Sequence, residues 1–193
     1  MVCITPYNID MAMTIRPAVP EDVPRILEFI RALAKYEREP AAVQATEVDL
    51  LRDGFGPNPY YWCLIAEHDA VPAGFALCFY SYSTWLGKPG VYLEDLFVLQ
   101  EFRGLGIGKA LLKRVAAIAV EKDCPRLGWE VLDWNTPAIE FYQAMGADFL
   151  DTWRRVRVSG EALKQLAAEA TDPGQAGERM GRPAGNEEPE PVP

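Results

Sequence analysis

Histidine is almost missing from this chain: His68 is the only one in 193 residues. It stands in His68-Asp69-Ala70, which reads as a turn, so a nucleophile activated by imidazole is disfavoured. The four cysteines, Cys3, Cys63, Cys78 and Cys124, lack the paired spacing of a metal site, and no metal is expected. Cys63 and Cys78 fall in apolar runs and read as buried reduced thiols, for which a cytoplasmic location is the simplest setting. Positive charge is also short, with 19 Lys and Arg against 28 Asp and Glu and a net charge of −9. That balance argues against nucleic acid and anionic membrane surfaces and favours cationic ligands such as amines. No apolar run reaches the length of a membrane span. Residues 1–12 lack the basic region and apolar stretch of a secretory signal.

What the chain does have is enough apolar residue, 49%, to build one domain's core. The expected organisation is an N-terminal extension over residues 1–12, a domain over 13–170, and a disordered acidic tail rich in Pro and Gly over 171–193. Ile15-Arg16-Pro17 reads as a short strand. Val23, Ile26, Leu27, Ile30, Leu33 and Ala34 recur at helical spacing, with Pro24 tolerated in the first turn. Thr46 is placed to cap a second helix ending near Gly54. Tyr60–Glu67 and Gly74–Tyr82 predict a hairpin whose turn contains Pro72 and Ala73. After a turn at Gly87-Lys88-Pro89-Gly90 comes a strand carrying Glu94. A helix over 108–122, a strand over 126–132, a helix opened by Thr136-Pro137 and closed at Gly146, strand over 149–158, and a helix over 160–170 complete the series. This order predicts an α/β fold with a mixed, mostly antiparallel sheet flanked by helices.

The densest signal is Tyr92-Leu93-Glu94-Asp95-Leu96-Phe97-Val98, followed by Gln100-Glu101-Phe102-Arg103-Gly104-Leu105-Gly106-Ile107-Gly108-Lys109. A strand runs into a glycine-rich turn that opens a helix, and unpaired N–H groups at such a junction bind anions. A Walker loop fails twice, since its first glycine would fall on Arg103 and Ala110 follows Lys109. A dinucleotide fingerprint fails because Gly104, Gly106 and Gly108 are spaced by twos. Arg103, Lys109, Lys113 and Arg114 gather positive charge where the helix dipole disfavours it, which makes more sense with a bound pyrophosphate. Glu94 and Asp95 are neighbours on a strand and are expected to face opposite sides, so at most one would face the reactive end of a bound ligand; an acid in this apolar strand reads as catalytic, as half of a buried ion pair or as a cap on a loop N–H. Tyr142, spaced three residues from both Ile139 and Met145, reads equally as core and as a hydroxyl facing a cleft.

Arg103-x-x-Gly106-x-Gly108 resembles the pyrophosphate loop of the GCN5-related N-acetyltransferases. Leu33-Ala34-Lys35-Tyr36-Glu37, Asp53-Gly54-Phe55-Gly56, Tyr82-Ser83-Thr84-Trp85, Tyr92–Asp95 and Leu132-Asp133-Trp134-Asn135 are similar to the diamine acetyltransferase group of that superfamily, which includes spermidine/spermine N1- and thialysine N-epsilon-acetyltransferases. The resemblance runs from about Ile15 to Ala167. It implies the acetyltransferase fold, acetyl-CoA as cosubstrate, and direct transfer of acetyl to the primary amine of a small molecule. It also implies Glu94 as base, through water, and Tyr142 as general acid. Leu96, Phe97 and Val98 would hold the cofactor through backbone atoms, Arg103, Gly104, Leu105, Gly106, Ile107, Gly108 and Lys109 its pyrophosphate, and Asn135 its pantetheine arm. Tyr36, Glu37, Trp85 and Glu94 would line the amine site, and a homodimer is implied. Polyamine enzymes of the group carry an aspartate where this chain has Ser83-Thr84-Trp85, which favours a thialysine- or lysine-like amino acid or a short diamine over a polyamine. Asp151 is a further acidic substrate candidate in a segment shorter than in relatives. A protein-lysine or N-terminal acetyltransferase and a non-catalytic acyl-CoA-binding sensor are the competing readings.

Overall fold

The computed structural model describes residues 13–170; the expected extension and acidic tail lie outside the described residues. Two compact units divide between Ala138 and Ile139. In the first, β1 (Met13–Pro17) precedes α1 (Val23–Tyr36) and α2 (Glu47–Phe55). Then follow β2 (Trp62–His68), β3 (Val71–Ser83), β4 (Lys88–Val98), α3 (Ile107–Glu121) and β5 (Leu127–Gly128). The five strands lie in sequence order, antiparallel except for the parallel pair β4–β5. α4 (Thr136–Ala144) crosses the unit boundary, and α5 (Gly160–Glu169) belongs to the second unit.

The helical spacing of α1 buries Val23, Ile26, Leu27 and Phe29. These meet Leu50 of α2 and the sheet residues Cys63, Ile65, Phe75, Leu77 and Phe97 in one apolar cluster. Phe29 stacks on Phe75 with centroids 5.4 Å apart. α3 buries a second face made by Ile107, Leu111, Leu112, Val115 and Ala119. At the start of α2, Thr46 Oγ1 accepts the Asp49 N–H while Asp49 Oδ2 accepts the Thr46 N–H, a reciprocal cap that satisfies two otherwise orphan donors.

Several expectations need correction. The β2–β3 turn is Asp69-Ala70, both with positive φ, a geometry that matches the twist of the flanking strands. Pro72 and Ala73 lie inside β3, where Ala66 pairs with Gly74 and Glu67 with Pro72, leaving Ala73 as the extra residue of a bulge, a place where a strand tolerates proline. β4 begins at Lys88, so Lys88-Pro89-Gly90 is strand and not turn. The strand expected over 126–132 pairs only at Leu127–Gly128. The run 149–158 forms no strand, and Leu150, Trp153 and Val156 are exposed. Its apolar alternation is strand-like, but a strand also requires a ladder partner, and among the described residues it has none.

Candidate active site

The site is built around an irregularity in β4. Leu77 pairs with Asp95 but Cys78 pairs with Leu93, leaving Glu94 as an extra, unmatched residue. A bulge of this kind bends the strand and re-aims its side chains, cancelling the simple alternation expected for Glu94 and Asp95. Glu94 is exposed and Asp95 partly buried. Asp95 shares the sheet face of Phe97, two residues on, which turns it towards α1. Burial first, then the Glu94 and Glu37 carboxylates, push Asp95 up to about 7. Burial also raises Glu37, just past the end of α1. No hydrogen bond or ion pair with another described residue satisfies any of these three carboxylates. Negative charge packed without a cation of its own is a ready seat for an ammonium group.

The parallel ladder between β4 and β5 stops at Tyr92 and Gly128. Beyond that point the β4 edge facing β5, from Leu93 to Val98, carries no strand among the described residues, and such an edge is a template for an extended, amide-bearing chain. Phe97 is buried, with Leu96 and Val98 partly so. Arg103 Nε donates to the Val98 carbonyl at 3.0 Å, and its guanidinium lies 5.6 Å from the Phe97 ring centroid and 4.7 Å from that of Tyr36.

Past Arg103, Gly104 and Gly106 take φ of +81° and +79°, conformations that glycine adopts without penalty. Gly106 is the N-cap of α3, and no side chain caps the helix. The first-turn N–H groups of Ile107, Gly108 and Lys109 lack intrahelical acceptors, and the first turn holds no acidic residue. A Cβ placed on Gly108 would reach ordinary contact with Val98 at 3.8 Å, so loop and strand end run close together. Exposed Lys109 joins this cradle, whereas Arg114 is drawn to Glu121 at 2.9 Å. The donor set suits a pyrophosphate.

The end of α1 closes the other side. Tyr36 Oη donates to Asn135 Oδ1 at 2.9 Å, and its ring lies 6.2 Å from Trp134. Arg38 places its guanidinium 4.5 Å from the Trp134 centroid. Tyr36, Phe97, Arg103 and Asn135 are thus brought together, with Glu37 and Glu94 each in electrostatic reach of Asp95. Trp85 is not part of this group: it sits 89% exposed at the β3–β4 tip, and the strand from Lys88 to Glu94 alone rises roughly 20 Å. Tyr142 lies in the second unit, buried on α4 beside Phe141. Asp151 is exposed in that unit. Arg38 and the upward shift of Asp95 were not foreseen; a bulge and a helix-end geometry leave no pattern in sequence spacing.

Among the described residues no three His, Cys, Asp or Glu side chains form a metal-binding group, and no helix is long and apolar enough to cross a membrane. The chain is 43% identical over 164 residues to a thialysine N-epsilon-acetyltransferase of Bos taurus, covering 79% of this chain and 96% of that one. It is 40% identical over 165 residues to a human spermidine/spermine N(1)-acetyltransferase-like protein 1, covering 80% of this chain and 24% of that longer one. An integron cassette protein from the mobile metagenome of V. cholerae shares the fold with a TM-score of 0.70 at 27% identity, covering 82% of this chain and 99% of that chain. Residues 26–147 match the acetyltransferase (GNAT) family. With the strand–loop–helix cradle and the open β4 edge inside that span, the chain belongs to the acetyltransferase (GNAT) family and is an N-acetyltransferase.

Proposed function

We propose that the protein transfers acetyl from acetyl-CoA to the side-chain amine of a thialysine- or lysine-like amino acid, or to a short diamine. The observation that carries the reading is the cluster of carboxyl groups Glu37, Glu94 and Asp95, without a cation partner among the described residues, beside an open strand edge and an anion-binding helix start. The carboxylates draw in the ammonium form of the amine. An alkylamine must then lose a proton before its lone pair can attack the thioester carbonyl. Glu94, the exposed bulge residue, takes that proton, directly or through water. The new C–N bond forms as C–S breaks, Tyr142 gives the departing thiolate its proton, and the second proton shed by the nitrogen as it becomes a neutral amide restores the Tyr142 phenol. The β4 edge at Leu96, Phe97 and Val98 pairs with the amides of the pantetheine arm, Asn135 lies along it, and the loop from Arg103 to Lys109 receives the pyrophosphate.

The polyamine reading draws on the 40% identity to the spermidine/spermine-like relative. The absence of a carboxylate in Ser83-Thr84-Trp85 weighs against it, because a long polycation needs a second, distant anion. The roles are tested with Glu94→Gln and Tyr142→Phe, following free thiol release at saturating acetyl-CoA. Each variant should lose about 10²- to 10⁴-fold in kcat, the first most at low pH where the amine is fully protonated. Full turnover by both variants across pH would remove both assignments.

A further inference from the structure

The end of α1 carries a residue that its backbone conformation disfavours. The Arg38 N–H donates to the Lys35 carbonyl and the Glu39 N–H to the Ala34 carbonyl, while Arg38 itself has φ +68°. This is the helix-closing Schellman arrangement, whose left-handed position is usually glycine. An arginine there costs about 1 kcal/mol relative to glycine, and strain of this kind tends to persist where the side chain has work to do.

The side chain is held in place. Its guanidinium stands 4.5 Å over Trp134, whose ring lies 6.2 Å from Tyr36, and Tyr36 is tied to Asn135. Arg16, Arg25, Arg52 and Arg114 each have a carboxylate partner. Arg38, like Arg31, Arg103 and Arg126, has none among the described residues, although the chain carries a net charge of −9; what sets it apart is the strained backbone and the ring it is braced on. The adjacent residue, Glu37, belongs to the carboxylate cluster of the proposed amine site. The end of α1 therefore offers both signs of charge at neighbouring positions: carboxylates without a cation, and a fixed planar guanidinium without an anion.

Resting on the acetyltransferase reading above, we infer that Arg38, braced on Trp134, is a specificity-determining residue that binds the α-carboxylate of a zwitterionic acceptor, so that the enzyme selects amino acids over diamines of the same length. A guanidinium fork matches a carboxylate in two parallel hydrogen bonds. The same group repels an acceptor that carries only ammonium groups.

The test compares thialysine with bis(2-aminoethyl) sulfide, which differs only by loss of the carboxylate, in wild type, Arg38→Gly and Arg38→Lys. The wild type should prefer thialysine. Arg38→Gly should reduce the ratio of kcat/KM for thialysine over the sulfide about tenfold to a hundredfold, chiefly through the KM for thialysine. Arg38→Lys, which keeps charge without the fork, should fall between. Arg38→Gly suits its backbone position, so its Tm should equal or exceed that of wild type, which separates lost recognition from lost folding. Equal losses on both acceptors, or a loss carried by the KM for acetyl-CoA, would overturn the inference. So would a wild type that acetylates the sulfide as well as thialysine, although the acetyltransferase reading would then stand. Failure of the wild type to acetylate any amine would remove that reading and this inference together.

Discussion

Asp95 shows how much one residue's setting decides. The sequence places two acids side by side, and strand alternation sends them to opposite faces. The bulge at Glu94 leaves Asp95 partly buried on the side of α1, within reach of two other carboxylates. Its folded pKa of about 7 lies above the unfolded value near 4. The folded protein therefore holds this proton more tightly than the unfolded chain does. The resulting stability is full below about pH 4 and is lost as pH rises through about 7. Urea denaturation should show wild type weakening over that window and Asp95→Asn weakening less, with the variant more stable at pH 8 by roughly 2 kcal/mol after allowance for solvent contact. Parallel pH profiles for the two proteins would place the Asp95 carboxyl in a solvated, ordinary setting. A bound amine acts in the opposite sense, because an ammonium beside Asp95 favours its ionised form.

At the scale of elements, the helices were the most legible. The apolar spacing from Val23 to Ala34 gave α1 its face, and Thr46 and Asp49 cap α2 through the pattern that marks its start. The glycine loop was legible in kind and also in detail: the twos-spaced glycines include the two left-handed positions, Gly104 and Gly106. A Cβ at Gly106 meets nothing within 4 Å, so Gly106→Ala would act through backbone conformation alone. The expected result is a loss of about 1–2 kcal/mol, or a few degrees in Tm, with the KM for acetyl-CoA raised about tenfold and kcat changed less. A lower Tm with an unaltered KM would detach this loop from cofactor binding. The strands were less legible. Alternation in 149–158 and the apolar run 126–132 look alike in sequence, yet only Leu127–Gly128 finds a partner. Pairing depends on a neighbour that may be distant in sequence, and a local pattern carries no record of it.

At the scale of the molecule, the order of elements and the motif series were enough to identify the family. They could not fix the acceptor, because the cradle proposed for the cofactor at α3 is indifferent to what receives the acetyl group. The proposed selectivity lies instead in the charges of the β4 bulge and the end of α1: Glu37, Glu94 and Asp95 on one hand, Arg38 on the other. The most direct measurement of the central claim is thiol release by the wild-type protein with acetyl-CoA and, in parallel, thialysine, lysine, short diamines, spermidine and a lysine-containing peptide. The account predicts the highest kcat/KM for thialysine or another small amine, with spermidine and the peptide poor. A preference for spermidine or the peptide, or coenzyme A binding with no transfer to any of these amines, would contradict it.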